Sequence, residues 1–558
     1  MPALLLSLLA AASLAAAPVM TPAVRPIEPP PPPSNGSRPA ALLTRVSFDS
    51  QDDLNRLAGR LDLTAAVDRA RGTVEAVLSP EEYDALVKEG RRVELLEEGT
   101  RRLNAPRERL AEQRLGISGY ACYRTVDETY ASMQELANTY PQLAQWRSIG
   151  DSWDRMTPGG NPGDELKVLV LTNRARLKAK PRFFLMAAIH AREYATAELA
   201  ARFAEELVNR YEVDADARWL LDYHEVHIVV QSNPDGRRVA ETGLSKRKNT
   251  NTTQGSCSAA TWGVDLNRNS SFDWNQGGTT TSACGETYLG RTPASEPETQ
   301  ALENYILSLY ADRRGPALSD PAAEDTSGVM ISLHSYGGWV LYPWGAETSA
   351  APNEARLRTL GRKFNYFNGY QACPAATCLY VASGSTDTFA YGVLGVPSYT
   401  IEVGTEFFQS CSSFENVVLP NNMPALWYAL KATRRPYQSP AGPDSVTLSL
   451  SAAAVRPGTP VTLYAQADDT RYGTNGGVEP TQNIAAARYS VDAPSWVSGT
   501  PTYALTPLDG AFDSPVEQLQ GTVFTSTLTP GKHILFVESQ DASGNWGVPT
   551  AIFLTVVQ

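Results

Sequence analysis

The chain opens on an apolar run of leucine and alanine, Ala3 to Ala17, that ends in small residues. The run is shorter than the ~20 residues of a membrane-spanning helix and predicts a secretory signal peptide over residues 1–20, although no Lys or Arg precedes it. Pro29 to Pro33 then predict an extended spacer over 21–41. Over residues 42–97 the pattern becomes that of a small α+β domain. Leu43–Phe48 and Thr73–Leu78 read as strands, Ser50 caps a helix with an acidic first turn, and Ser79-Pro80-Glu81-Glu82 opens another. Residues 98–118 are polar and carry Arg101, Arg102, Arg107, Arg109 and Arg114, the composition of an exposed linker open to proteases.

Between residues 119 and 437 apolar strands alternate with helical stretches, which predicts an α/β domain built on a mostly buried central sheet. The candidate strands are Leu166–Leu171, Phe183–Ile189, Glu225–Gln231, Val329–His334 and Ser398–Val403; Asp127–Tyr140 and Ala197–Tyr211 read as helices. Open α/β sheets place their sites beyond the carboxyl ends of the strands. Pro436–Pro443 marks a second boundary. Residues 438–558 are short strand-like runs separated by turn signals such as Leu508-Asp509-Gly510 and predict an immunoglobulin-like β-sandwich. That segment carries no chemical constellation and reads as a spacer or as a substrate- or wall-binding module.

At ~100–200 residues per domain, 558 residues hold roughly three or four domains. Lys+Arg of 48 against Asp+Glu of 60 leaves a net charge of −12, which repels phosphate backbones and anionic membrane surfaces and argues against nucleic acid as a partner. No run beyond the first is apolar enough to span a bilayer. Six cysteines behind an export signal suit an oxidising compartment, so the expected location is extracellular or periplasmic. Cys373 and Cys378 are close enough for a small loop, Cys257 and Cys284 flank a polar stretch, and Cys122 and Cys411 remain. Six cysteines allow 15 connectivities, so spacing alone leaves the pairing open.

The candidate chemistry lies where the strand Phe183–Ile189 gives way to His190-Ala191-Arg192-Glu193. An imidazole and a carboxylate three residues apart can bind one metal from one turn. A catalytic zinc takes three protein ligands, two His and one Glu being an attested set, and leaves a position for water. A third ligand is needed elsewhere, and of the five histidines His334 ends another apolar strand. His224 and His227 open an alternating strand and read as structural, as does His533 in the C-terminal segment.

Several blocks in order carry a resemblance to a known family. They are His190-Ala191-Arg192-Glu193, Asn233-Pro234-Asp235-Gly236, Gly263-Val264-Asp265-Leu266-Asn267-Arg268-Asn269, Ser295-Glu296-Pro297-Glu298-Thr299, Leu333-His334-Ser335-Tyr336, Tyr380 and Ile401-Glu402. Over roughly Tyr120 to Tyr437 the chain resembles the zinc metallocarboxypeptidases related to pancreatic carboxypeptidases A and B and to bacterial carboxypeptidase T. The resemblance implies a mixed central sheet flanked by helices and one zinc held by His190, Glu193 and His334, with Asp265 orienting His190. It implies Glu402 as general base and Arg247 facing the developing oxyanion. Asn267 and Arg268 would grip the substrate's terminal carboxylate, Tyr380 would close over it, and Arg192 and Tyr336 would touch the extended peptide.

Aligned without a gap between Tyr380 and Glu402, the resemblance puts Asp387 on the floor of the side-chain pocket, which implies a preference for C-terminal Lys or Arg. Thr388 departs from the acid usual after it, and a slip of one residue would put Thr386 in the pocket instead. The N-terminal α+β segment resembles an activation peptide, which implies a zymogen opened by a trypsin-like protease. The expected protein is thus a secreted, monomeric exopeptidase acting on peptides or proteins with a free C-terminal carboxylate. The rival is a peptidoglycan-directed amidase of the same fold, against which Asn267, Arg268 and Tyr380 count. No G-x-S-x-G elbow supports a serine hydrolase.

Overall fold

The computed structural model describes residues 39–105, 115–157, 161–176 and 179–558. The expected signal peptide, most of the proline spacer, and Arg107, Arg109 and Arg114 of the linker lie outside them.

The first domain is a four-stranded antiparallel sheet in the order β2-β3-β1-β4, from β1 (Leu42–Ser47), β2 (Asp62–Asp68), β3 (Thr73–Leu78) and β4 (Val93–Leu95). Helices α1 (Gln51–Ala58) and α2 (Pro80–Lys88) start at the expected serines: Ser50 accepts from Asp53 N, and Ser79 and Glu82 form a reciprocal capping box. Leu54, Leu57 and Leu86 from these helices close over Val46, Val74 and Ala76 of the sheet. The segment expected to be a linker begins instead with a helix, α3 (Glu97–Asn104). Its acids lie in the first turn and Arg101 and Arg102 in the last, which suits the helix dipole; Thr100 bonds Leu43 of β1, and Asn104 bonds Ala41 just before it.

An eight-stranded mixed sheet in the order β11-β10-β12-β9-β7-β8-β6-β5 forms the second domain. Its strands are β5 (Ala144–Asp151), β6 (Glu165–Leu171), β7 (Arg182–Met186), β8 (Glu225–Val229), β9 (Val329–His334), β10 (Trp339–Tyr342), β11 (Gln371–Pro374) and β12 (Ser398–Glu402). The central strands read as unbroken apolar runs because both faces are covered: Phe183 and Leu185 join one core, Phe184 and Met186 another. β5, β10 and β11 escaped the sequence pattern, the first being a mostly polar edge and the others only four residues long. β7 ends at Met186 rather than Ile189 because the chain turns away there, with Ala188 at φ 55°. Next comes the helix Tyr194–Arg210, three residues earlier than expected.

Eight strands of the last 115 residues run in one folded order from Asp444–Leu450 to Ala454–Val455, and its two halves share a core that includes Leu463, Leu505, Leu519, Leu535, Val537 and Leu554. This β domain is locked to the preceding one by a pair of adjacent cations on the helix Glu354–Asn368. Arg362 lies 2.6 Å from Glu479, and the fully buried Lys363 lies 3.0 Å from Asp444. Three disulfides close Cys122–Cys411, Cys257–Cys284 and Cys373–Cys378.

Candidate metal and substrate site

Strand order alone assembles the centre. β12, β9 and β7 are parallel neighbours, and Glu402, the last residue of β12, pairs in register with His334, the last of β9. The loop after β7 brings His190 and Glu193 to the same end. Glu193 occupies the N-cap of the helix Tyr194–Arg210 but makes no capping bond, so its carboxylate is left for other partners. Two residues whose roles the sequence did not reveal hold this loop. The buried guanidinium of Arg237 donates to the carbonyls of Ala191, Glu193 and Tyr194, and Asn233 donates to Ile189 O.

His190, Glu193 and His334 are all buried, and their donor atoms lie within 4.8 Å of one another. Glu193 Oε1 is 2.7 Å from His190 Nδ1, and Glu193 Oε2 is 3.3 Å from His334 Nδ1. Burial alone would raise the pKa of Glu193, but the two imidazoles beside it more than reverse that and keep it a carboxylate. Burial, with Arg247, holds His190 below the usual imidazole range, which leaves a lone pair for coordination. Two imidazoles and a carboxylate converging in a closed pocket fit one tetrahedral zinc with its fourth position open. The other ring nitrogen of His190 lies 3.2 Å from Asp265 Oδ1, the second-layer carboxylate such a ligand needs.

Asp265 is shared. It also receives Arg247 through Nε and Nη2, at 3.0 and 2.9 Å, and caps Asn267 N at 3.0 Å. Arg247, Asn267, Arg268, Tyr380, Asp387 and Glu402 line one small cavity of about 70 Å³ together with the three metal-ligand candidates. Arg268 donates to Gly278 O and Asn267 O and has no carboxylate partner among the described residues; burial holds its pKa below the usual arginine range. Glu402 Oε2 is shielded from solvent and accepts no hydrogen bond among the described residues. Burial first, then the charge of Glu193, pushes Glu402 up to about 7, against the pull of His334 and the arginines. Asp387 lines the cavity beside Leu341, Gly345 and Thr400, whereas Thr386 is turned to bond Asn267 Oδ1 through its backbone.

The remaining expected substrate contacts face the N-terminal domain. Arg192 pairs with Asp62, Tyr336 donates to Glu75 Oε2 at 3.0 Å, and Tyr380 donates to Leu63 O at 3.2 Å. Leu63, Thr64 and Ala65 of β2 form one wall of the cavity. Arg69, just past β2, clamps the carbonyls of Thr377, Cys378 and Leu379 at the foot of the Tyr380 segment. None of these N-terminal residues stands in a motif, and β2 itself shows no alternation that would mark a face seeking a partner. The histidines set aside stay apart: His224 is buried against Leu220 O, His227 bonds Tyr305, and His533 bonds Asp492.

Comparison with known proteins gives a match of residues 129–419 to the zinc carboxypeptidase family model. Carboxypeptidase A1 of Rattus norvegicus is 30% identical over 298 residues, 51% of this chain and 63% of that protein. Zinc carboxypeptidase A 1 of Drosophila melanogaster is 30% identical over 285 residues, 50% of this chain and 60% of that protein. The match thus spans about three-fifths of these relatives' length. Among solved structures, the carboxypeptidase A from Helicoverpa armigera superposes with a TM-score of 0.56 at 21% identity, covering 71% of this chain and 97% of that one. Thrombin activatable fibrinolysis inhibitor gives 0.54 at 18%, covering 70% and 98%. At such identities the likeness is one of fold.

Proposed function

The chain belongs to the zinc carboxypeptidase family, and on that footing we propose that it is the precursor of a secreted exopeptidase that removes the C-terminal residue of peptides and proteins. The observation that carries the reading is Arg268, a buried cation without a carboxylate partner among the described residues, in the same cavity as the metal-ligand set and Glu402. Its guanidinium is held by the carbonyls of Gly278 and Asn267, and its uncompensated charge suits a substrate carboxylate, which an internal peptide bond lacks.

His190, Glu193 and His334 hold one zinc, which when bound supplies Lewis acidity to the scissile carbonyl and to water. Asn267 and Arg268 take the terminal carboxylate, and Tyr380 closes over it. Glu402 accepts a proton at Oε2 as the oxygen of water joins the carbonyl carbon, and returns it to the amine as the C–N bond breaks. An acid near neutrality suits both halves of that exchange. Arg247, oriented by Asp265, faces the oxygen that gains negative charge. Asp387 accepts the ammonium or guanidinium of a C-terminal Lys or Arg.

The N-terminal domain is the inhibitory segment: β2 fills the approach, and Asp62, Glu75 and Leu63 occupy Arg192, Tyr336 and Tyr380. A trypsin-like protease cutting the Arg-rich linker releases it. The apolar leader and three disulfides support export to an oxidising compartment, where the enzyme acts as a monomer.

The deciding experiment compares blocked dipeptides ending in Arg and in Phe, using trypsin-treated protein with and without a zinc chelator. Cleavage that the chelator abolishes, faster for Arg, is the expected result. No cleavage of either by protein carrying one zinc per chain overturns the reading in favour of the wall-directed amidase.

A further inference from the structure

Behind the catalytic domain, where the helix Leu419–Ala432 runs out against the β domain, lies an open cleft of about 440 Å³. That is the size range of small-molecule sites, about 300–1,000 Å³. Five cations line it against two carboxylates, in a chain whose net charge is −12.

Three of the cations are already engaged. Arg488 meets Glu538 at 3.0 Å, Arg356 meets Glu324 at 3.4 Å, and Lys431 meets Asp216 at 2.6 Å. Arg434 and Arg435 have no carboxylate partner among the described residues. The guanidinium carbon of Arg434 lies over Trp496, 4.7 Å from the ring centroid, and that of Arg488 lies over Trp546 at 3.8 Å. Trp546 is itself held by a turn in which Asn545 bonds Asp541 through both its backbone and side-chain nitrogens, each at 2.8 Å. Burial first, and then the charge of Arg435, pulls Arg434 down to about 10, and the charge of Glu538 offsets this only in part. Planar guanidinium forks held in place by aromatic faces are suited to the oxygens of a tetrahedral anion.

We propose that this interdomain cleft is a binding site for phosphate groups, carried by a free phosphate or by a phosphate polymer, with Arg434 and Arg435 as its principal ligands. The catalytic centre lies on another part of the molecule, and the proposal does not rest on the carboxypeptidase reading.

The test is calorimetric titration of the full-length chain, whose catalytic cleft is covered by β2, with inorganic pyrophosphate and with long-chain inorganic polyphosphate at low salt. Both are expected to bind the wild-type chain, and R434Q/R435Q is expected to weaken them by about tenfold or more, with a shallower dependence on salt. Tighter binding of polyphosphate than of pyrophosphate identifies a polymer as the ligand; equal affinity identifies the free anion. Should R434Q/R435Q fail to fold, R434K/R435K is read instead, since it keeps the charge and loses the fork, and pyrophosphate is again expected to bind more weakly. Equal affinity of wild type and variant, or no binding of either ligand to the wild type, overturns the proposal.

Discussion

The carboxylate of Asp62 grips the guanidinium of Arg192 at both ends, with Oδ2 2.6 Å from Nη1 and Oδ1 2.7 Å from Nη2, and both side chains are shut off from solvent. Phe407 lies on the face of the same guanidinium, 4.0 Å from its carbon. The pair joins the first domain to the catalytic one at the mouth of the cavity, so undocking the domain must strip a buried arginine of its partner.

Removing one partner of a buried pair costs about 3–5 kcal/mol, because the other charge is stranded. Asp62→Ala is therefore expected to loosen the N-terminal domain. The uncut chain carrying it should hydrolyse an Arg-ended dipeptide at least about tenfold faster than uncut wild type. Initial rates before any protease treatment check this.

Asp387→Asn should leave the cavity's shape intact and remove its charge. Losing one member of a desolvated charge pair costs about 2–5 kcal/mol, so kcat/KM for a C-terminal Arg is expected to fall by about 30-fold or more while that for Phe changes little. The ratio of the two substrates is the readout.

Glu402→Gln removes the proton acceptor without touching His190, Glu193 or His334. A drop in kcat of about 10²–10⁴ is expected while the zinc content stays at one per chain. Metal analysis of the purified variant separates the two effects.

Stability should depend on pH through Glu298. It is buried beside Glu296 and accepts from Trp153 N at 2.8 Å and Asn249 Nδ2 at 3.2 Å. Burial, and then the charge of Glu296, pushes it up to about 8. The unfolded chain releases this proton near about pH 4.3, so the folded state holds it where the unfolded state does not. The stabilisation is complete below that pH and is lost as the pH climbs toward the folded value. Wild type is therefore expected to melt at progressively lower temperature between about pH 5 and about pH 8, and Glu298→Gln should flatten that slope, as thermal denaturation at several pH values would register.

Asp444 is the anion shared by Lys363 at 3.0 Å and Arg471 at 3.1 Å across the junction with the β domain. Asp444→Ala strands a lysine with no exposed surface, and a loss of about 3–5 kcal/mol is expected in denaturant unfolding, with the catalytic and β domains no longer melting together.

The sequence by itself named side chains that the fold brings together at the centre. His190 and Glu193 are three residues apart, His334 and Glu402 end apolar strands, and Ser50 and Ser79 announce their helices; such signals are local and survive in one dimension. Its alternation and apolar runs also carried the central strands. Short or polar-edged strands such as β5, β10 and β11 were illegible because burial on one edge leaves no periodic trace. The helical start of the linker was hidden because its acids and arginines read equally as a solvated loop. Only the tertiary structure decided that Asp387 rather than Thr386 lines the cavity, that Asp265 serves His190 and Arg247 at once, and that Asp62 reaches Arg192 across 130 positions. Those relations depend on which faces of separately folded elements meet, and long-range packing is written in shape and burial, not in residue spacing.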